Sequence, residues 1–189
     1  MVGPLDLAFV LDDSTSVSDD EFTDVIDFVT YVIDAFPGVS SSGTRVGIVM
    51  FSSEASIAMP FNRYFERKRM IAAVKKLQRK RGGTHIGEGL AKSFELYSSK
   101  AYGSRPSALK VMLLMTDGKN QGEGVVENAK KLRERGVRVI VVGVGKAVLD
   151  VQLEQIAGKK ENVFKVDSFK GLEPVVAELI PASCPRPAR

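Results

Sequence analysis

The chain has 189 residues, 44% hydrophobic and 26% charged, with 17 Gly and 8 Pro. That fits one domain and excludes collagen-like, low-complexity and disordered chains. One His and one Cys exclude a Cys/His zinc site, and no apolar run approaches the ~20 residues of a membrane-spanning helix. The net charge of +4 conceals segregation, because residues 1–44 carry nine acids and no Lys or Arg while residues 45–81 carry ten bases and two acids.

In chain order, short β-branched or apolar runs alternate with helical patterns. The strands expected are 5–11, 45–51, 55–59, 109–115, 137–144 and 162–166, several of them continuous apolar runs of the kind buried on both faces. Ser18-Asp19-Asp20-Glu21 has the spacing of a capping box. The apolar residues from Phe22 to Phe36 recur behind it at helical spacing, up to Pro37-Gly38. A second helix is expected over 66–77 and a third over 86–99. A fourth runs to about Arg135, with Gly136 as its stop. Asp150 is expected to cap a fifth helix ending before Gly158, and 172–180 forms the last.

This alternation predicts an α/β fold: a doubly wound, mostly parallel six-stranded sheet with helices on both faces. The link from Phe51 to Ala55 is too short for a parallel crossover, so the third strand is expected to be antiparallel and at the edge. The domain is expected over 5–181, with 1–4 as a linker start and 182–189 as a tail. No signal peptide is present in this stretch.

Ligands of such sheets bind beyond the carboxyl ends of the strands, where strand order reverses. The polar residues there are Asp12-Asp13-Ser14-Thr15-Ser16 after the first strand and Thr116-Asp117-Gly118 after the fourth. Gly82-Gly83-Thr84-His85 precedes the third helix. Asp12, Ser14 and Ser16 present oxygen at alternate positions, Asp117 adds a carboxylate and Thr84 a hydroxyl. A set of hard oxygens selects Mg²⁺, Mn²⁺ or Ca²⁺ over zinc or copper. Taken singly, these residues also read as helix caps and turns. Gly143-Val-Gly145 lacks the third glycine of a dinucleotide loop, and no phosphate loop or nucleophile elbow is present.

The segment Leu5-Asp-Leu-Ala-Phe-Val-Leu-Asp12-Asp-Ser14-Thr-Ser16 resembles the start of a von Willebrand factor type A domain. The metal ion-dependent adhesion site of that family uses Asp-x-Ser-x-Ser with a distant Thr and a distant Asp. Asp12, Ser14 and Ser16 match the first, Thr84 the second and Asp117 the third, and the resemblance spans about 5–184. It implies strand order 3-2-1-4-5-6. It also implies a non-catalytic module in which Ser14, Ser16 and Thr84 coordinate a divalent cation, Mg²⁺ before Mn²⁺ or Ca²⁺. Asp12 and Asp117 then bind directly or through water, and a Glu or Asp of a protein partner completes the sphere. A secreted, extracellular-matrix origin and a matrix partner such as collagen follow from the same resemblance.

Asp13 stands where relatives often have Gly or Ser. Its side chain is expected to face solvent, and Asp13 and His85 are candidate ligand contacts. Between Gly145 and Leu153 the chain is too short for the extra helix of collagen-binding integrin domains. Cys184 lies where related matrix domains often have a cysteine bonded to one just before the first strand. Residues 1–4 hold no partner for it, so it pairs outside this stretch, pairs with another chain or stays free.

The stretch 63–81 holds nine bases: Arg63, Arg67, Lys68, Arg69, Lys75, Lys76, Arg79, Lys80 and Arg81. It reads as one basic helix with its flanks, and either as a solvated face or as a surface for a sulfated glycosaminoglycan. No base-reading motif accompanies it, which speaks against nucleic acid. Two other readings compete with an adhesion module. One is a structural matrix domain that binds collagen or glycosaminoglycan mainly by electrostatics, with metal incidental. The other is a metal-dependent hydrolase.

Overall fold

The computed structural model describes residues 3–146 and 148–168. The expected last helix over 172–180 and Cys184 lie outside the described residues. The chain runs β1 (Leu5–Asp12), α1 (Asp19–Ala35), β2 (Thr44–Phe51), β3 (Ala55–Met59), α2 (Arg67–Val74) and α3 (Ile86–Ser98). It continues through β4 (Leu109–Thr116), α4 (Val125–Glu134), β5 (Val137–Val144), α5 (Asp150–Ala157) and β6 (Val163–Val166).

The six strands form one sheet in the order β3-β2-β1-β4-β5-β6. All neighbours are parallel except β2 and β3, which the short link forces into an antiparallel pair. Strand side chains alternate faces. Leu5, Leu7, Phe9 and Leu11 therefore pack with α1 and α2 on one side, and Ala8 and Val10 with α3, α4 and α5 on the other. Every residue of β1 is buried, so its two aspartates, Asp6 and Asp12, are buried charges at opposite ends of the central strand.

Local signals mostly hold. The Ser18 hydroxyl accepts from Glu21 N and the Glu21 carboxylate accepts from Ser18 N, completing the capping box of α1. Three expectations are corrected. Asp150 is the first residue of α5, behind Leu149 at the cap, and its carboxylate pairs with Lys165 of β6 at 2.6 Å. Asn162 lies in a short 3₁₀ turn rather than in β6. The third correction is that α2 ends at Val74 instead of running to residue 77. The chain from residue 79 to residue 82 is taken up by bonds to the loop after β1: Lys80 N donates to Asp13 Oδ2, Arg81 N to Asp13 O, and Thr15 N to Gly82 O. Between the helix and this strap the backbone tightens into turns, with Lys76 N donating to Ala73 O and Leu77 N to Val74 O.

Candidate metal centre

Three loops converge beyond the carboxyl ends of β1 and β4, at the point where strand order reverses. The register sets Leu11 opposite Met115, so Asp12 and Thr116 lie one step further on at the strand tips. The Thr116 hydroxyl donates to Asp12 Oδ2 at 2.7 Å, and Ser14 N donates to Asp12 Oδ1 at 3.0 Å. Both partners are neutral, and Asp12 is only 2% exposed. Burial pushes its carboxyl up to about 6 against those two hydrogen bonds, and Asp117 raises it further. Asp117 is itself raised, first by burial, while its bond from Ser16 opposes the shift.

The hydroxyls form a directed chain. Thr84 Oγ1 donates to Ser14 Oγ at 3.2 Å, and Ser16 Oγ donates to Asp117 Oδ1 at 2.8 Å. Ser14 and Ser16 are 2.9 Å apart. A hydroxyl has one proton, and that of Ser16 is committed to Asp117, so Ser14 is the donor in the middle bond. Thus Asp12, Ser14, Ser16, Thr84 and Asp117, named from sequence, are brought together in one network. Ser14 and Thr84 are buried, whereas Ser16 is exposed and Asp117 partly so. The site has a dry floor and an open rim. Gly118 permits the close approach, since a Cβ there would lie 3.3 Å from Thr84 Oγ1.

Thr84 is delivered by a loop whose own backbone is anchored on both sides. Its N–H donates to Gln121 Oε1, Gln121 N donates back to Thr84 O, and His85 N donates to Ser52 O. The His85 imidazole packs beside Gly83 and Gly122. Asp13 does not face solvent as expected. It is 1% exposed, its Oδ2 accepts from Lys80 N at 3.0 Å, and its backbone is bonded to Phe51 and Arg81.

The structure divides the nine bases of 63–81. Arg67 turns inward and donates to Phe36 O, and Arg79, with its side chain 6% exposed, donates to Asp19 and to Ser14 O. Arg81 also pairs with Asp19, and Arg69 with Glu66. The basic stretch is therefore not one solvated helix face, and part of the segregated charge is internal pairing between the acidic and basic blocks. Arg63, Lys68, Lys75 and Lys76 stay exposed. Arg63 stacks over Tyr64, and Arg63 and Lys76 line a groove of about 260 Å³ with Met59, Tyr64 and Leu77.

Two contributors were not read as part of this site from the sequence: Thr116, and Arg79, which was expected on the basic surface and instead bonds to the loop after β1. The β1–β4 register would have exposed Thr116 as the neighbour of Asp12. Nothing local in the sequence marks Arg79, whose partners lie about sixty residues away.

The donor set fits a hard divalent cation: two carboxylates and three hydroxyls, with a buried carboxylate bonded only to neutral groups. Among the described residues no three His, Cys, Asp or Glu side chains gather to hold a metal, so a cation here would depend on the hydroxyls as well as the two carboxylates.

The von Willebrand factor type A domain profile matches residues 6–178. Chicken (Gallus gallus) matrilin-1 is 33% identical over 177 residues, covering 93% of this chain and 35% of that protein. The mouse (Mus musculus) collagen alpha-4(VI) chain is 28% identical over 179 residues, covering 95% of this chain and 8% of that one. The chain thus spans well under half the length of these relatives. Proximal thread matrix protein 1 of the mussel byssus, solved with zinc in its MIDAS motif, superposes with a TM-score of 0.92 at 31% identity, covering 97% of this chain and 48% of that one. Sheet order, the convergence of three loops at the reversal point and the profile over nearly the whole length agree, and the chain belongs to the von Willebrand factor type A domain family.

Proposed function

We propose that this domain, residues 5–181, is a non-catalytic adhesion module that binds an acidic residue of a protein partner through a divalent cation. The observation that carries this is the buried Asp12 carboxylate, bonded only to neutral donors beneath an open rim of Ser16 and Asp117. Asp12, Ser14, Ser16, Thr84 and Asp117 hold the cation, with Mg²⁺ as the first expectation and Mn²⁺ or Ca²⁺ as alternatives. Bound there, it supplies a Lewis-acidic site for an incoming carboxylate. The chain's own residues do the rest. Asp12 neutralises charge from below, and Thr116 keeps Asp12 oriented. The hydroxyls of Ser14, Ser16 and Thr84 contribute oxygen without further negative charge, which preserves attraction for an anion.

A matrilin, a collagen chain and a thread matrix protein among the relatives support a secreted, extracellular-matrix setting and a matrix partner such as collagen. Binding to immobilised collagen and to native matrix, in excess Mg²⁺ and in chelator, tests the reading. Chelator, Asp12→Ala and Thr84→Ala each abolish binding while the fold persists. An Asp12→Ala variant that bound as well as wild type in excess Mg²⁺ would overturn it.

The groove lined by Arg63 and Lys76 favours a second, separate reading. With Lys68 and Lys75, these cations form a surface for a sulfated glycosaminoglycan, whose attraction is electrostatic and independent of metal. Heparin chromatography decides it. Elution above physiological salt that chelator leaves unchanged and Arg63→Ala/Lys76→Ala lowers supports the surface, and elution at or below physiological salt refutes it.

A further inference from the structure

The loop between β1 and α1 carries two of the five candidate ligands, and Ser16 sits on it at an exposed position. A flexible loop there would hold its hydroxyl loosely, and a cation site that is loose by a fraction of an ångström loses affinity. The strap of residues 79–82 supplies rigidity. Thr15 N donates to Gly82 O at 3.0 Å, Gly82 N donates to Thr15 Oγ1 at 2.9 Å, and Arg81 N donates to Asp13 O at 3.0 Å. The strap adopts left-handed backbone at Arg81 (φ 64°) and positive φ at Gly82 (116°), a cost that its bonds to the loop offset.

Within the strap, Arg79 has a distinctive reach. One guanidinium nitrogen donates to Ser14 O at 2.7 Å and the other to Asp19 Oδ1 at 2.6 Å. Ser14 lies before Ser16 on the loop, and Asp19 lies after it, in the first turn of α1. The planar fork therefore ties together the two sides of the loop that presents Ser16. The Arg79 side chain is 6% exposed and lies under the loop, while the Asp19 carboxylate at its outer end is 71% exposed, so the buried half of the clamp is the bond to Ser14 O. Lysine offers a single ammonium and cannot match the fork.

We propose that Arg79 is a positioning residue of the cation site: by clamping Ser14 O and Asp19 it fixes the loop on which the Ser14 and Ser16 hydroxyls are presented. It touches no candidate ligand side-chain oxygen. It acts through the backbone of Ser14 and through Asp19 on the flank, and its charge also draws the Asp117 carboxyl down, a contribution that Arg79→Lys retains and Arg79→Met removes. This inference rests on the cation-site reading above.

The test is Mg²⁺ titration by calorimetry on wild type, Arg79→Met, Arg79→Lys and a remote charge control, Lys130→Met. Each is titrated at a temperature where its thermal melt in chelator shows the fold complete, so that a loss of stability alone leaves the dissociation constant untouched. Residues supporting metal ligands typically matter about 10- to 100-fold. Arg79→Met is expected to weaken Mg²⁺ about tenfold or more, Arg79→Lys to fall between it and wild type, and Lys130→Met to match wild type. Arg79→Met binding Mg²⁺ as wild type does overturns the proposal. If Arg79→Met does not fold, Arg79→Lys decides, and unchanged affinity there overturns it. Wild type that fails to bind Mg²⁺ overturns the cation-site reading itself, and the role of Arg79 with it.

Discussion

Both ends of β1 carry a buried aspartate, and the two are answered differently. At the amino end, Asp6 is 0% exposed and accepts from the Arg105 backbone N–H and guanidinium, both at 2.8 Å. Arg105 goes on to donate to Leu5 O, Gly43 O and Ser42 O, so one side chain pins β1 to the loop before β2. At the carboxyl end, Asp12 is equally buried and meets only neutral groups of Ser14 and Thr116, and burial pushes its carboxyl up to about 6. The fold supplies its own cation where it needs stability. At the other end it leaves a buried carboxylate with no cation of its own, which is the feature that the proposed cation site rests on. The contrast sets a self-paired aspartate against one without a countercharge within a single strand.

The largest effect is expected from breaking the scaffold end. Arg105→Met leaves Asp6 buried without its countercharge and should cost about 3–5 kcal/mol in chemical denaturation. Asp12→Asn should do the opposite in chelator near pH 7.5, because it removes a buried charge whose partners are neutral and the Thr116 hydroxyl can turn from donor to acceptor. That variant should be no less stable than wild type and gain up to about 3 kcal/mol. A loss of several kcal/mol would make Asp12 a second Asp6.

The pH dependence sharpens the same point. Asp12 is near 6 in the fold, above its ordinary range, so the folded state holds a proton that the unfolded state has released. Its contribution to stability is full below about 4 and is lost as pH rises through about 6. In chelator, the stability difference between wild type and Asp12→Asn should therefore shrink on acidification across that window, and Mg²⁺ affinity should fall over the same range. A difference that is flat with pH would place the titration elsewhere. The smallest effect is expected from Thr116→Val, which removes one orienting donor and should weaken Mg²⁺ about tenfold with little change in fold. Equal affinity would show that Asp12 is held by Ser14 N alone.

Much of this was legible in the sequence, for physical reasons that can be named. Asp-x-Ser-x-Ser, Thr84 and Asp117 stand at loop ends that strand periodicity locates, and a four-residue capping box announces α1. The antiparallel β3 followed from a link too short to cross over. What failed depended on pairing between distant segments. The basic run 63–81 looked like one surface because nothing in its composition distinguishes Arg79, turned toward Ser14 O, from Lys76, which faces the groove. Asp13 looked solvent-facing because its partner, Lys80 N, arrives from another loop. The end of α2 at Val74, where the backbone tightens into turns ahead of the strap, was likewise not foreseen by helical periodicity.

The most direct test of the central claim is the Mg²⁺-dependent thermal shift of wild type beside Asp12→Asn at neutral pH. A ligand at a hundred times its dissociation constant stabilises the folded state by about 2.7 kcal/mol. The account predicts a saturable rise in the melting temperature of wild type and none in Asp12→Asn. No shift in wild type, or the same shift in both, would contradict it.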